Sequence, residues 1–532
     1  MGSILLFSFF NATLITLSSC NSVVDQNEGL SQAVFSSKPS NDADQNERSN
    51  LDDDTKTLYP DNINDQAILT DHSNSNNQSL QSAITNFDNL EWMQKASWSF
   101  AIRDAKGSIL ASKDLDRLLT PASIQKLVAT ALALQQFGPS TKWPTILSYS
   151  GLIENNILRG DIIIEGKGDP SLGSNRIDIG TQSVDQVCSL WVDAIKKAQI
   201  KEIQGNIIGT GKILGEARIP EDWAWNDIGN YFGPALNGLS IGDNQLILSF
   251  KSGAPGTKAV LLNAKPLPAG LQIITKVTAG PKGSGDNAWA YSAPGASDVI
   301  MRGNIPPYQP SFKVRIAFPN PELAAADILK EALLTAGIKI KGKSIAGDLA
   351  SKTKALFTLE SPELSEIIKI TNQQSLNGYA EILARQLALT HGDPSPESVP
   401  DALEAGLTKL GIDKSNWVLK DGSGLSRSNK VNARGITELL YKASSSSWKD
   451  EFISSLPTAG ESGTLKNTFI QGTGKLKAKT GSMSGVQAWA GYVQTQNKEW
   501  YSFSIIINNQ GAGGQTVKRE VEKLFQAMLE FP

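Results

Sequence analysis

Between Thr120 and Gly138 the apolar residues Ile124, Leu127, Val128, Ala131 and Leu134 recur at helical spacing. Thr120 reads as an N-cap, Pro121 as the first helical residue and Gly138 as the stop. A helix this apolar has to be mostly buried, so the rest of the fold must be layered around it. Its first turn carries Ser123 and Lys126, three residues apart and therefore on one face. Burial lowers a lysine pKa, and a neutral amine can take the proton of a neighbouring hydroxyl. The N–H groups of a helix start favour the oxyanion that follows. The plainer reading makes Lys126 an exposed lysine on a core helix. Two other Ser-x-x-Lys runs, Ser351 to Lys354 and Ser446 to Lys449, do not open a capped apolar helix.

The composition narrows the chemistry. Across 532 residues the formal net charge is −3 with no basic block, which speaks against a nucleic-acid partner. There are two histidines. His72 lies in a polar tract and His391 in a Gly/Pro turn, so neither a Ser-His-Asp triad nor a multi-histidine metal site is supported. A hydrolase here needs lysine, tyrosine or carboxylate as its base, and neither metal nor cofactor is expected. The two cysteines, Cys20 and Cys188, exclude a disulfide-stapled fold, and Cys188 reads as a small packed hydrophobe.

At the amino terminus, Ile4 to Leu17 is an apolar run too short and interrupted to span a bilayer comfortably. It reads as a signal-peptide core, and Leu17-Ser-Ser-Cys20 resembles a bacterial lipobox in which Cys20 is lipidated. The alternative is a plain secretory signal with an incidental cysteine. Residues 21–85 carry about eight net negative charges and few apolar groups, as expected of an unfolded tether.

The expected organisation is therefore a lipoprotein signal over 1–20, a polar tether over 21–85, and a globular body from residue 86. In that body a hairpin, Trp98–Arg103 and Ser108–Ser112, delivers the chain to the Ser123 helix. Many short strands follow, interrupted by a helix over 184–198. A further helix over 322–337 reads as the return to helical structure, which continues over 361–370, 375–389, 398–410 and 433–446. Two long strands, from Val486 and from Trp500, and a closing helix over 517–531 end the chain. A strand-rich module over 146–319 thus interrupts one α/β domain made of 86–145 and 320–532.

Two further clusters carry chemistry. Ser375-Leu-Asn377 opens a helix, and Lys479-Thr480-Gly481-Ser482 lies in a strand region. A serine there can pass a proton between a lysine and a leaving nitrogen, and an asparagine can fix the lysine or a substrate amide. A lysine with a threonine can hold a carboxylate, while the glycine lets a peptide lie against the strand. Separately, Ser375 could be only an N-cap and Lys479 only an exposed edge-strand lysine.

In the order Ser-x-x-Lys, Ser-x-Asn, Lys-Thr-Gly these motifs are those of penicillin-binding proteins and class A β-lactamases. Over residues 86–532 the chain resembles the class C low-molecular-mass penicillin-binding proteins of the penicillin-binding protein 4 type. These are D-alanyl-D-alanine carboxypeptidases/endopeptidases. The resemblance extends to Gly166–Leu172, Trp223–Gly233, Asp421–Ser426 and Leu456–Leu465. It implies an α/β (α+β) penicilloyl-serine transferase domain with a strand-rich insert, acting on peptidoglycan peptides in the envelope or periplasm and acylated by β-lactams. It further implies Ser123 as nucleophile, Lys126 as base and Ser375 as proton shuttle. Asn377, Lys479, Thr480, Gly481 and Ser482 would contact substrate, the last through a backbone N–H that, with that of Ser123, forms an oxyanion hole. Leu376 departs mildly from the family's frequent Asp and should point away from Lys126. A serine β-lactamase is the nearest alternative, but no Glu-x-x-Leu-Asn is present to supply the deacylating base. The other alternative is an inactive wall-binding lipoprotein, in which one motif would be broken; all three are intact.

Overall fold

The computed structural model describes residues 75–176, 183–348 and 352–532. The signal, Cys20 and most of the tether lie outside the described residues. Five strands form one antiparallel sheet: β1 Ser97–Arg103, β2 Ile109–Lys113, β3 Leu476–Met483, β4 Val486–Gln494 and β5 Trp500–Asn508. Their spatial order is β2-β1-β5-β4-β3, so the first and last parts of the chain share a sheet. Helix α1, Ser75–Asp88, begins inside the span read as tether. Its Leu80, Ile84 and Phe87 are buried, which removes 80–88 from any solvated linker.

The sheet is covered on both faces, as the alternation of its residues requires. Trp489, Phe503, Ile505 and Ile507 pack with α1 and with the closing helix α5, Gly514–Leu529. Ala488, Ala490, Tyr492 and Ile506 face a helical layer built on α2, Lys126–Phe137, α3, Leu364–Gln374, and α4, Asn377–Leu389. Residues 126–134 of α2 are all buried. Sequestering Leu127, Val128, Leu132 and Leu134 stabilises the fold by roughly 1.5–3 kcal/mol each before entropy is counted.

The start of that helix differs from expectation. Thr120 is not its N-cap; a 3₁₀ turn over Ala122–Gln125 precedes α2. Tertiary hydrogen bonds override the local signal. Asn508 of β5 accepts from Thr120 N at 2.8 Å and donates to Thr120 O at 3.0 Å, while Leu119 pairs with Val431.

A second core holds the strand-rich region. Its main sheet runs 344–346, 207–210, 162–166, 144–149, 354–360. The boundary expected at residue 319 is therefore displaced. Helix Pro321–Thr335 buries Ala324, Leu329 and Leu333 in this second core, and the strands up to Glu360 join its sheets. The chain crosses between the cores at Trp143 and Ser361. There Ser361 N donates to Trp143 O and Trp143 N to Ser361 Oγ, both at 3.0 Å. Cys188 packs in a helix of this region, with its thiol pushed up to about 12 by burial. No described helix is long and apolar enough to cross a membrane.

Candidate active site

The 3₁₀ turn that carries Ser123 rests on β3 and β4. Ala122, the first residue of that turn, is buried with φ of 47°, a left-handed conformation that costs a non-glycine residue energy. Two glycines make room for it. Gly424, at φ of 80°, lies so close that a side chain would collide with the Ala122 carbonyl. A methyl group on Gly481 would sit 2.7 Å from Pro121 O and 3.1 Å from Ser123 N. Strand β3 therefore passes directly beside the serine backbone, and only a residue without a side chain permits it.

Lys126 is 0 % exposed. Its Nζ lies 2.9 Å from Ser123 Oγ, 2.6 Å from Asn377 Oδ1 and 2.6 Å from Ser423 O. Burial pulls the amine down to about 7, against the opposing pull of Asp421 and then Glu381. The contacts fit an uncharged amine. Asn377 Nδ2 donates to Phe232 O at 2.7 Å, which fixes the amide with its oxygen toward Lys126. That oxygen and the Ser423 carbonyl can only accept. They take both N–H bonds of a neutral amine and leave its lone pair for the Ser123 hydroxyl.

Beneath Ser423 lies a pair of buried carboxyls that the sequence motifs did not single out. Glu381 accepts from Gly422 N at 3.2 Å and from Ser423 N at 2.8 Å. Asp421 accepts from Gly424 N and Ser426 N at 2.7 Å, Asn429 Nδ2 at 2.8 Å and Trp223 Nε1 at 3.0 Å. Burial, then Asp421, pushes Glu381 up to about 8. Together they fix the loop whose Ser423 carbonyl holds Lys126. The only cue in the sequence is the Asp-Gly-Ser-Gly run, whose turn-forming residues say nothing about burial.

The second motif takes a conformation other than the expected one. Ser375 does not open a helix; it ends α3 in the left-handed region, with φ of 59°, and α4 begins at Asn377. This turn aims both polar side chains inward, while Leu376 packs against the helical core. Lys479, although on the edge strand β3, is 0 % exposed. Its Nζ donates to Ser375 Oγ at 2.8 Å and Thr480 O at 2.7 Å. Burial, then the charge of Lys126, holds Lys479 well below the ordinary lysine range. Thr480 Oγ1 donates to Thr464 Oγ1 at 2.8 Å, and Ser482 is exposed at the strand end. The three motifs thus meet, with Asn377 bonded to Lys126, Ser375 to Lys479, and Gly481 against Ser123 N. His391 lies apart in an exposed turn. Among the described residues no cluster of three or more His, Cys, Asp or Glu could hold a metal.

Residues 77–529 match the family described as D-Ala-D-Ala carboxypeptidase 3 (S13). The chain is 29% identical over 423 residues to a D-alanyl-D-alanine carboxypeptidase of Actinomadura sp. (strain R39), covering 76% of each. It is 26% identical over 442 residues to D-alanyl-D-alanine carboxypeptidase DacB of Haemophilus influenzae, covering 79% of this chain and 87% of that one. Among solved structures, penicillin binding protein 4 of H. influenzae superposes with a TM-score of 0.71 at 23% identity, over 83% of this chain and 97% of that one.

Proposed function

Because the chain belongs to the D-Ala-D-Ala carboxypeptidase 3 (S13) family, we propose that it is a serine D-alanyl-D-alanine carboxypeptidase/endopeptidase of peptidoglycan stem peptides, acylated also by penicillins. The observation that carries this reading is the 2.9 Å approach of a fully buried amine, its pKa pulled down to about 7 by burial, to Ser123 Oγ. Ser123 Oγ attacks the carbonyl between two D-alanines and Lys126 takes its proton. The N–H groups of Ser123 and Ser482 hold the oxyanion; losing one such donor typically costs ~3–4 kcal/mol of barrier. Ser375 relays the proton to the leaving nitrogen, and Asn377 holds Lys126 and the substrate amide. Lys479 and Thr480 receive the terminal carboxylate, which raises the depressed pKa of Lys479 back toward the charged form. Water then releases the acyl group.

In this reading 144–360 is a module inserted into the peptidase domain, and the enzyme works in the cell envelope. Lipidation at Cys20 rests on the Leu17–Cys20 motif, and membrane fractionation of a Cys20→Ala variant tests it. Incubation with a fluorescent penicillin tests the activity. The protein should take up one label, and Ser123→Ala should take up none. A label that persists in that variant, or that maps to another serine, would refute the assignment.

A further inference from the structure

Strand β3 is the last strand of its sheet, yet its outer edge is partly covered. A loop over 457–465 pairs with its first half: Ala459 N donates to Leu476 O and Ala478 N to Pro457 O, both at 2.9 Å. Among the described residues that pairing stops at Ala478, so the backbone groups of Thr480 and Ser482, which alternation turns to the same side, border an open edge. The loop is braced. Thr458 N donates to Ser462 Oγ at 3.1 Å, and Ser462 N donates to Thr458 O at 3.0 Å. Gly463, at φ of 57°, lies so near the end of α3 that a side chain would sit 2.9 Å from Gln373 O. The next residue, Thr464, is exposed, while Leu465 after it is buried. Among the described residues the one hydrogen bond of the Thr464 hydroxyl is with Thr480 Oγ1, at 2.8 Å.

A hydroxyl has one proton to give and two lone pairs with which to receive. A carboxylate only accepts, so Thr480 must turn its own proton toward one. Thr464 is then placed to donate to Thr480 Oγ1 in return, and each bond of such a chain polarises the next. We propose that Thr464 is a positioning residue for the terminal carboxylate of the substrate: it fixes the direction in which Thr480 donates, and the loop that carries it closes the edge of β3 beyond the last residue of the peptide. The inference rests on the peptidase reading above and adds to it a source of selectivity for a free terminal carboxylate that lies outside the three motifs.

The test uses the whole protein, a synthetic peptide ending in D-Ala-D-Ala, and the same peptide with a C-terminal primary amide. Wild type should cleave the acid with the higher kcat/KM. Thr464→Val keeps the shape of the side chain and removes the hydroxyl. It should lower the acid-to-amide ratio about five- to tenfold, through KM for the acid rather than through kcat. Thr464→Ser keeps the hydroxyl and should hold the ratio within about twofold of wild type. Uptake of one equivalent of penicillin at saturation shows that each variant is folded with a reactive Ser123. A ratio that Thr464→Val leaves unchanged overturns the role of Thr464, as does a fall confined to kcat, or one that Thr464→Ser reproduces in full. A wild type that takes up penicillin but cleaves acid and amide alike overturns that role too and leaves the peptidase reading standing. A wild type that neither takes up penicillin nor cleaves either peptide overturns the peptidase reading and the role of Thr464 with it.

Discussion

The chemistry assigned to Lys126 predicts the pH dependence of acylation. Lowering its pKa from 10.5 to about 7 corresponds to roughly 5 kcal/mol of destabilised ammonium at about 1.4 kcal/mol per unit. The side chain is fully buried, so solvent does not screen this term away. Only the neutral amine can accept the Ser123 proton. With a pKa of about 7, about half of it is neutral at pH 7 and about 1% at pH 5. The second-order rate constant for penicillin acylation, followed by stopped-flow fluorescence, should therefore fall about 50-fold between pH 7 and pH 5. Above pH 8 it should gain no more than about twofold over its value at pH 7. An ordinary lysine would give a different profile, rising about tenfold per unit from pH 7 to beyond pH 9. That continued rise, or a rate that stays flat down to pH 5, would refute the neutral-amine mechanism.

Two further predictions concern the scaffold beneath the base. Burial, then Asp421, pushes the folded-state pKa of Glu381 up to about 8, above the ordinary glutamate value of 4.5. Its contribution is fully present below about pH 4.5 and is lost as pH rises through 8. Wild type should therefore lose thermal stability between pH 5 and pH 8, and Glu381→Gln, which cannot ionise, should lose less over the same range in differential scanning calorimetry. Gly424→Ala places a methyl group against the Ala122 carbonyl at a positive φ. It should lower stability by about 1–3 kcal/mol and slow penicillin acylation, because the strained turn before Ser123 must shift. Denaturant titration and the same stopped-flow assay check both effects.

The parts of the site that the sequence made legible are the local ones. Ser123 and Lys126 share a helical turn, so a spacing of three already places hydroxyl and amine together. The hairpin at 97–113 and the closing helix were equally readable, because turn residues and periodicity are local signals. What failed was what distant residues impose. Thr120 looked like a cap until Asn508, far along the chain, took its backbone groups. Ser375 looked like a helix start, yet it ends the preceding helix with a positive φ. The boundary at residue 319 fails because helix 321–335 has an apolar face that suits either core, and only its packing partners decide which core it joins. Strand 344–346 lies parallel to 207–210, a contact that no local pattern announces.

In the proposed mechanism, the same non-local wiring gives the strand-rich region a part in the chemistry. Its Phe232 carbonyl determines which way the Asn377 amide faces. That orientation turns an acceptor toward Lys126, and together with the Ser423 carbonyl it uses up both N–H bonds of the neutral amine. With the amide reversed, an N–H would point at Nζ and compete with Ser123 for its lone pair. The module also reaches the carboxyl pair through Trp223, which donates to Asp421. Two contacts from the loop over 223–232 thus bear on the proton inventory of Lys126, so on the proposed mechanism changes in that loop should alter the rate of Ser123 acylation.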